Sequence, residues 1–143
     1  MKCVEILLGS HEYEAALKLR AVVLRTPLGL SFTSDEIAEE AHCAHLAGFD
    51  ETGRLVAILL LKPLNEHTVK MRQVAVDPAL QGHGIGAQLV AFAEGFAKQR
   101  GCKTMIAHAR CTALEFYLGI GYATSGETFL ETTIPHILIT KGL

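Results

Sequence analysis

The sequence predicts one α/β domain built on a mixed β-sheet (α+β in character), with helices on both faces of the sheet. The chain has 143 residues, 50% hydrophobic and 20% charged, which is typical of a single globular domain. Its hydrophobic periodicity gives the element order β-α-α-β-β-β-α-β-α-β-β. Three successive strands indicate an antiparallel meander, whereas strands separated by helices indicate parallel crossovers. We therefore expect residues 1–143 to form one domain around a sheet of mixed direction.

Periodicity, capping residues and turn residues predict the elements of the first half. They are a strand over 2–8, a helix from Ser10 to Pro27, a short helix from Ser34 to about Ala41, and strands over 43–49, 54–62 and 67–76. Ser10 and Ser34 have side-chain oxygens that suit helix N-caps, and Pro27 cannot continue a helix. Between the strands 43–49 and 54–62 lies Asp50-Glu51-Thr52-Gly53, which is typical of a hairpin turn.

In the second half, helices alternate with strands. The predicted elements are a helix from Gly84 to about Arg100, a strand over Thr104–Ala109, a helix over Thr112–Leu118, and strands at about 122–130 and 136–141. Gly101 suits the end of the long helix, because glycine adopts the left-handed backbone conformation without strain. Gly119-Ile120-Gly121 ends the following helix, and Pro135 lies between the last two strands.

Charge, cysteine spacing and hydropathy argue against several classes of protein. The formal net charge is -2 with mixed signs, so we expect no nucleic-acid partner. Four cysteines without paired spacing indicate reduced thiols in a cytoplasmic protein: Cys3, Cys43, Cys102 and Cys111. We expect no membrane segment, because the longest apolar run, Leu55–Leu61, is too short, and no signal peptide is apparent after Met1. His42 and His45 lack a partner cluster, so we expect no metal site.

The most informative segment is 71–87, with the sequence MRQVAVDPALQGHGIGA. The apolar strand residues Val74, Ala75 and Val76 lead through Asp77-Pro78 and a short turn into Gln81-Gly82-His83-Gly84-Ile85-Gly86-Ala87, where a helix begins. Backbone N–H groups in such a loop converge on one point and suit a phosphate or pyrophosphate. Three glycines are entropically costly for a turn that holds nothing. The segment therefore predicts a nucleotide-like cofactor, with a tight turn without ligand as the alternative.

A dinucleotide site is a second interpretation of the same loop. Residues 82–87 fit the pattern G-x-G-x-x-A. That pattern requires an acidic residue about twenty positions later for the ribose. The next predicted strand ends instead at His108-Ala109-Arg110, where Arg110 is suited only to a 2′-phosphate. An antiparallel meander also precedes the loop, whereas a Rossmann unit usually opens its domain. An NADP-binding enzyme is therefore the weaker alternative.

Two motifs in this order resemble the GNAT superfamily of N-acetyltransferases. Gln81-x-x-Gly84-x-Gly86 matches its Q/R-x-x-G-x-G/A pyrophosphate motif, and Ala113-x-x-Phe116-Tyr117-x-x-x-Gly121-Tyr122 matches a second motif downstream. Further segments resemble the small ElaA-like acetyltransferases of bacteria: Leu19-Arg20-x-x-Val23-Leu24-Arg25-x-Pro27-Leu28-Gly29, His108-Ala109-Arg110 and Phe129-x-Glu131-x-x-Ile134-Pro135-His136. The resemblance covers most of the chain. It implies the GNAT acyl-CoA fold, a mostly antiparallel sheet of six or seven strands that is splayed at the coenzyme site.

The resemblance also implies how acetyl-CoA is held. The loop would bind the pyrophosphate through Gln81, Gly82, His83, Gly84, Ile85, Gly86 and Ala87. The backbone of Val74, Ala75 and Val76 would pair with the pantetheine arm and polarise the thioester carbonyl. Arg110 stands where many members of the superfamily have Asn, seven residues before the motif tyrosine, which leaves that contact with CoA open.

For catalysis, the resemblance implies Tyr117 as the general acid near the sulfur, because the ordinary pKa of a phenol is close to that of a thiol. The general base is open. The strand over 67–76 contains no Glu, so the candidates are Glu131, His108 and His136. Arg20 and Arg25 have two interpretations: they shape the acceptor pocket, or they form ion pairs that position the first helix.

The expected activity is direct transfer of an acetyl group from acetyl-CoA to a primary amine in a ternary complex. The acceptor is a small molecule or a peptide, and the resemblance also allows a homodimer. The alternative is a non-catalytic module that binds acyl-CoA, which the missing Glu on the strand over 67–76 favours.

Overall fold

Seven strands form one sheet in the computed structural model, which describes all 143 residues. They are β1 (Lys2–Ile6), β2 (Ala44–Phe49), β3 (Leu55–Pro63), β4 (Thr68–Val76), β5 (Thr104–Arg110), β6 (Ala123–Glu131) and β7 (Ile134–Gly142), in the spatial order β1-β2-β3-β4-β5-β7-β6. Only β4 and β5 are parallel, and every other neighbouring pair is antiparallel. The predicted mixed and mostly antiparallel sheet is therefore confirmed.

Four α-helices cover the sheet: α1 (His11–Arg20), α2 (Ser34–Glu39), α3 (Ile85–Gln99) and α4 (Leu114–Gly119). Side chains alternate between the two faces of a strand, and adjacent residues of β3 show this directly. Leu59 packs in a cluster with Leu89 of α3, whereas Leu60 packs in a second cluster with Ala16 of α1. The sheet thus has a hydrophobic core on each face. No helix is long and apolar enough to cross a membrane.

The crossover helix α3 matches its predicted bounds to within one residue. Gly84 precedes it with φ 80°, and Gly101 follows it with φ 88°, so both ends use the left-handed region that glycine favours. Its buried face is formed by small and aliphatic side chains that lie against the sheet, including Leu89, Val90 and Ala93. A parallel connection needs such a crossover, and α3 supplies it between β4 and β5.

The first helical region differs from the single helix predicted up to Pro27. The Ser10 side chain caps α1 as expected, by accepting a hydrogen bond from the Tyr13 N–H at 3.2 Å. The chain then continues as a π-helical turn over Ala21–Arg25 and a 3-10 turn over Thr26–Leu28. The N-cap of α2 is also one residue earlier than predicted. Thr33 forms a capping box with Glu36, so Ser34 is the first helical residue.

β4 contains an irregularity that opens the sheet. β3 pairs Leu60 with Arg72 and then Ile58 with Ala75, so β4 carries one extra residue between these pairs. Gln73 lies in this bulge with φ 58°. The parallel pairing with β5 extends only from Thr68 to Met71. Beyond Met71 the two strands diverge, and residues 72–76 have β3 on one side and no strand on the other.

Candidate functional site

A cavity of about 340 Å³ lies where β4 and β5 diverge. The π-helical turn, α2, β4, β5, α4 and the β6–β7 turn all contribute residues to its wall. On β4, Met71 belongs to the α3 cluster, so Lys70 and Arg72 lie on the opposite face of the sheet. On β5, Ala107 and Ala109 belong to that same cluster. The cavity therefore joins the two faces of the sheet through the gap between the strands.

His108, Glu131 and His136 converge in this cavity, as candidate base residues should. His108 Nδ1 lies 2.9 Å from Glu131 Oε1, while His136 Nε2 lies 3.6 Å from Glu131 Oε2, which is too long for a hydrogen bond. His136 Nδ1 instead contacts the Ile134 carbonyl at 2.8 Å and acts as the donor there. His108 is thus the direct partner of Glu131. The tautomer with the proton on Nδ1 satisfies that contact and leaves His108 Nε2 free to accept a proton.

Glu131 is held as a carboxylate. Burial by itself would raise its pKa, but the hydrogen bond from His108 and the positive charges around it outweigh burial and lower the pKa. Those charges include Lys70, whose Nζ lies 3.3 Å from His108 Nδ1. Because a carboxylate with a lowered pKa is a weak proton acceptor, the geometry suits Glu131 to orienting His108.

Tyr117 is both a core residue and a wall of the cavity. Its side chain is 7% exposed and packs edge-on against Phe116 and Tyr122, with ring centroids 4.9 and 5.8 Å away. The phenol makes no hydrogen bond within the chain. Burial raises the pKa of Tyr117 to about 12, so its hydroxyl keeps its proton at physiological pH. Packing of Tyr117 in the core is therefore compatible with the functional role that the resemblance implies.

The glycine-rich loop exposes backbone groups at the start of α3. Gly82 and Gly84 have φ of 84° and 80°, which side-chain-bearing residues rarely adopt. No side chain caps the helix, so its first N–H groups point outward without partners. Gly86, by contrast, has no positive φ, and the G/A alternative of the motif allows alanine at this position. A methyl group there would meet Phe116 and Val76 at 3.4 and 3.5 Å, so alanine would fit.

Two polar contacts and one unpaired side-chain oxygen modify the predicted coenzyme groove. The Gln81 side chain donates to the Val76 carbonyl at 3.3 Å and thereby engages one of the backbone groups assigned to the pantetheine arm. His83 Nδ1 contacts the Leu80 carbonyl at 3.0 Å. The Gln73 side-chain oxygen is buried and has no hydrogen-bond partner. Since Gln73 lines the cavity, a bound group with an N–H is what this orphaned acceptor fits.

The two predicted acceptor-binding arginines have different positions. Arg20 lies outside the cavity, only 1% exposed, with Nη2 at 2.7 and 2.6 Å from the two carboxylate oxygens of Glu40. This position favours the ion-pair interpretation, because Arg20 does not line the cavity. Arg25 lines the cavity but is also paired, with Nη2 at 2.8 Å from Glu36 Oε2. Both guanidinium groups lie over the Phe32 ring, 4.6 and 4.2 Å from its centroid.

Sequence reasoning overlooked two cationic residues of the cavity, Lys70 and Arg72. Their spacing of two on a strand places them on one face, and this was the available signal. Burial lowers the pKa of Lys70 despite the opposing effect of Glu131. Arg110, noted only as a departure from the superfamily pattern, donates to the Leu24 carbonyl at 3.0 Å and so connects β5 to the π-helical turn.

The dinucleotide alternative can be judged on the geometry. A dinucleotide-binding domain needs successive parallel strands, whereas this sheet has one parallel pair, so that interpretation of the loop is wrong. No three or more His, Cys, Asp or Glu side chains are arranged to hold a metal ion.

Comparison with known proteins agrees with this architecture. Residues 13–122 match the Acetyltransferase (GNAT) family. The crystal structure of a Lactobacillus plantarum protein is 27% identical, with a TM-score of 0.86 over 100% of this chain and 99% of that one. Escherichia coli ElaA is 22% identical, with a TM-score of 0.83 over 99% of both chains. A GNAT family acetyltransferase from Elizabethkingia anophelis with acetyl-CoA bound is 18% identical, with a TM-score of 0.78 over 99% and 97%. The chain belongs to the GNAT family of acetyltransferases.

Proposed function

We propose that this protein binds acetyl-CoA and transfers its acetyl group directly to a primary amine. The observation that carries the proposal is the cavity between the diverging strands, where the His108–Glu131 pair and Tyr117 line one space. The uncapped start of α3 lies beside the end of β4, since a methyl group added at Gly86 would touch the Val76 side chain. Family membership supports an acetyl donor, and the Elizabethkingia anophelis neighbour was crystallised with acetyl-CoA.

The coenzyme would be held mainly by backbone groups. The N–H groups of residues 82–87 suit a pyrophosphate, because they are uncapped and carry the partial positive charge of the helix terminus. The free edge of β4 over residues 73–76 suits an extended amide-containing arm, which would add to the sheet where β5 is absent. When bound, the coenzyme supplies an acyl group activated as a thioester.

His108 would make the acceptor nucleophilic. An amine attacks only when its nitrogen lone pair is free, and the unprotonated Nε2 of His108 is available to take the proton. Glu131 holds the ring in the required tautomer and stabilises the imidazolium that results. This pair replaces the carboxylate that is missing from β4.

Tyr117 would stabilise the departing sulfur. Its pKa of about 12 is well above the ordinary pKa of a thiol, about 8.5, so complete proton transfer to a thiolate is unfavourable. A hydrogen bond from the neutral phenol is favourable and is stronger to an anion than to a neutral sulfur. Its help is therefore greatest as negative charge develops on the sulfur.

The proposal is tested by thermal unfolding and by release of free thiol. Acetyl-CoA at a hundredfold excess over its Kd should stabilise the protein by about 2.7 kcal/mol, or roughly 5–10 °C in Tm, and NADPH should not. Thiol release should require an added amine and fall roughly a hundredfold or more in His108→Gln. The exposed His42, changed to Gln, is the matched control. Stabilisation without turnover over a broad amine panel would favour the non-catalytic module, and no stabilisation would contradict both.

A further inference from the structure

Resting on the proposed function, we infer that the acceptor is a small amino acid-like molecule whose amine and negatively charged carboxylate are separated by only a few atoms. The inference begins with the charges around the cavity. Four cationic side chains and two carboxylates line it: Arg25, Lys70, Arg72, Arg110, Glu36 and Glu131. Both carboxylates already have a partner: Glu36 is paired with Arg25, and Glu131 is paired with His108.

Three of the cations have no carboxylate partner. None of the ion pairs of the protein includes Lys70, Arg72 or Arg110. Arg72 makes no side-chain hydrogen bond at all, although it is only partly exposed. Arg110 donates to a backbone carbonyl, and Lys70 approaches an imidazole nitrogen whose proton is directed at Glu131. An unpaired positive charge is therefore concentrated at one wall of the cavity.

Keeping these cations together costs free energy that an anionic ligand would recover. Burial and the charge of Arg25 lower the pKa of Arg110, and burial lowers the pKa of Lys70. Both shifts mean that the protein surroundings of these two side chains disfavour their positive charges. A carboxylate bound between them would supply the missing counter-charge and accept hydrogen bonds in the fork geometry of a guanidinium. A polyamine or an aminoglycoside would add further positive charge and is disfavoured by the same argument.

The positions of the cations limit the length of the acceptor. Arg110 is two residues from His108 on β5, and Arg72 is two residues from Lys70 on β4. Residues two apart on a strand lie roughly 7 Å apart. An amine at His108 and a carboxylate at Arg72 or Arg110 are then only a few bonds apart. A cavity of about 340 Å³ is also near the small end of ligand sites, which fits a compact acceptor.

The test is a panel of amines matched in length that carry a carboxylate, an amide or a second amine at the far end. Three series are used: glycine, glycinamide and ethylenediamine; β-alanine, its amide and 1,3-diaminopropane; 4-aminobutyrate, its amide and 1,4-diaminobutane. Thiol release is followed with each at saturating acetyl-CoA. We expect at least one series to show kcat/KM for the carboxylate about tenfold or more above the amide, and the diamine lowest. An amide or diamine equal to or better than every carboxylate would overturn the inference and leave the proposed function standing.

Variants locate the selectivity. Arg72→Gln and Arg110→Gln should each raise KM for the preferred carboxylate, at least one of them by roughly 10-fold to 100-fold, and narrow its advantage over the amide. Arg72→Lys keeps the charge and should retain most of the selectivity. Lys62→Gln is the matched control, because Lys62 is exposed and pairs with Lys70 across β3 and β4 but does not line the cavity. Unchanged selectivity in both glutamine variants, with their Tm preserved, would overturn the assignment of these residues.

A binding measurement distinguishes failure of the proposed function from failure of this inference. If no amine in any series is acetylated, the same nine compounds are titrated calorimetrically into the protein saturated with CoA. Binding of carboxylates in preference to their amides would uphold the anionic ligand while removing the transferase activity. Equal binding, or no binding of any compound, would overturn the inference as well.

Discussion

The buried ion pair between Arg20 and Glu40 joins the last residue of α1 to the residue that follows α2, so its removal tests how the first two helices are held together. Both side chains are almost fully buried, 1% and 2% exposed, and one guanidinium nitrogen contacts both carboxylate oxygens at 2.7 and 2.6 Å. Arg20 Nε has no hydrogen-bond partner, so the guanidinium depends on Glu40 for its side-chain hydrogen bonds. The perturbation is Arg20→Met, which keeps an unbranched apolar stem and removes the charge.

The expected loss follows from the charge that remains. Removing one member of a buried pair leaves the other uncompensated and costs about 3–5 kcal/mol. A chain of this length has an unfolding entropy of about 0.3 kcal/mol/K, so Tm should fall by roughly 10–15 °C. Glu40→Leu should have a comparable effect, because it leaves the Arg20 charge without its partner. The double variant Arg20→Met/Glu40→Leu leaves no buried charge and should recover most of the loss.

Thermal unfolding of the four proteins forms a double-mutant cycle, and amine kinetics on the folded variants separate structure from function. We expect the KM for the amine to stay within about threefold of the wild type in the double variant, a difference of well under 1 kcal/mol. A Tm change below about 3 °C in Arg20→Met would refute the reasoning about the pair. A large rise in KM with unchanged Tm would restore Arg20 as an acceptor-binding residue.

Three further predictions concern the site. Tyr117→Phe should lower kcat roughly a hundredfold with little change in Tm, because the phenol has no partner within the chain, and a wild-type kcat in this variant would contradict its role. With a pKa of about 12, Tyr117 should also produce no decline of the wild-type rate below about pH 11. Gly84→Ala should raise KM for acetyl-CoA and cost about 1–2 kcal/mol of stability because of its φ of 80°. Gly95→Ala, in open space on α3, should instead stabilise the protein, and equal effects at the two glycines would contradict the backbone argument. Burial lowers the pKa of Lys70 below its ordinary value of 10.5. At pH values below the lowered pKa, the charged Lys70 destabilises the folded state. This destabilisation decreases as the pH rises from the lowered pKa towards 10.5. Lys70→Met should therefore raise Tm at pH 7, by an amount that narrows towards pH 10.5. A Tm below that of the wild type at pH 7 would show that Lys70 stabilises the fold.

Local signals in the sequence predicted the regular elements well. Gly84 and Gly101 bracket α3 because each occupies a left-handed position, and this requirement depends on the local chain alone. The π-helical turn over Ala21–Arg25 had no such signal. Its conformation is accompanied by distant contacts, such as the hydrogen bond from Arg110 to the Leu24 carbonyl, which periodicity cannot reveal.

The site was predicted only in part, because its residues are brought together by contacts between distant parts of the chain. Motif resemblance identified Tyr117, His108 and Glu131, but their grouping depends on the pairing of β7 with both β5 and β6. That pairing brings residues 108 and 131 within 2.9 Å across 23 positions of sequence. Lys70 and Arg72 were overlooked because the strand was searched for a carboxylate. The bulge at Gln73 could not be predicted, because glutamine is not a residue type typical of a positive φ.

The short pairing between β4 and β5 also has a mechanical meaning. It is the only strand contact that joins the β1–β4 half of the sheet to the β5–β7 half. It spans Thr68–Met71 against Thr104–Ala107, whereas β5 pairs with β7 along its whole length, Thr104–Arg110. The shortest strand pairing in the sheet is therefore the one next to the cavity. A ligand hydrogen-bonded to the free edges of both β4 and β5 would extend the pairing between them. Binding would then also make the whole sheet more rigid. We expect amide hydrogen exchange to slow in both halves of the sheet when the ligand binds.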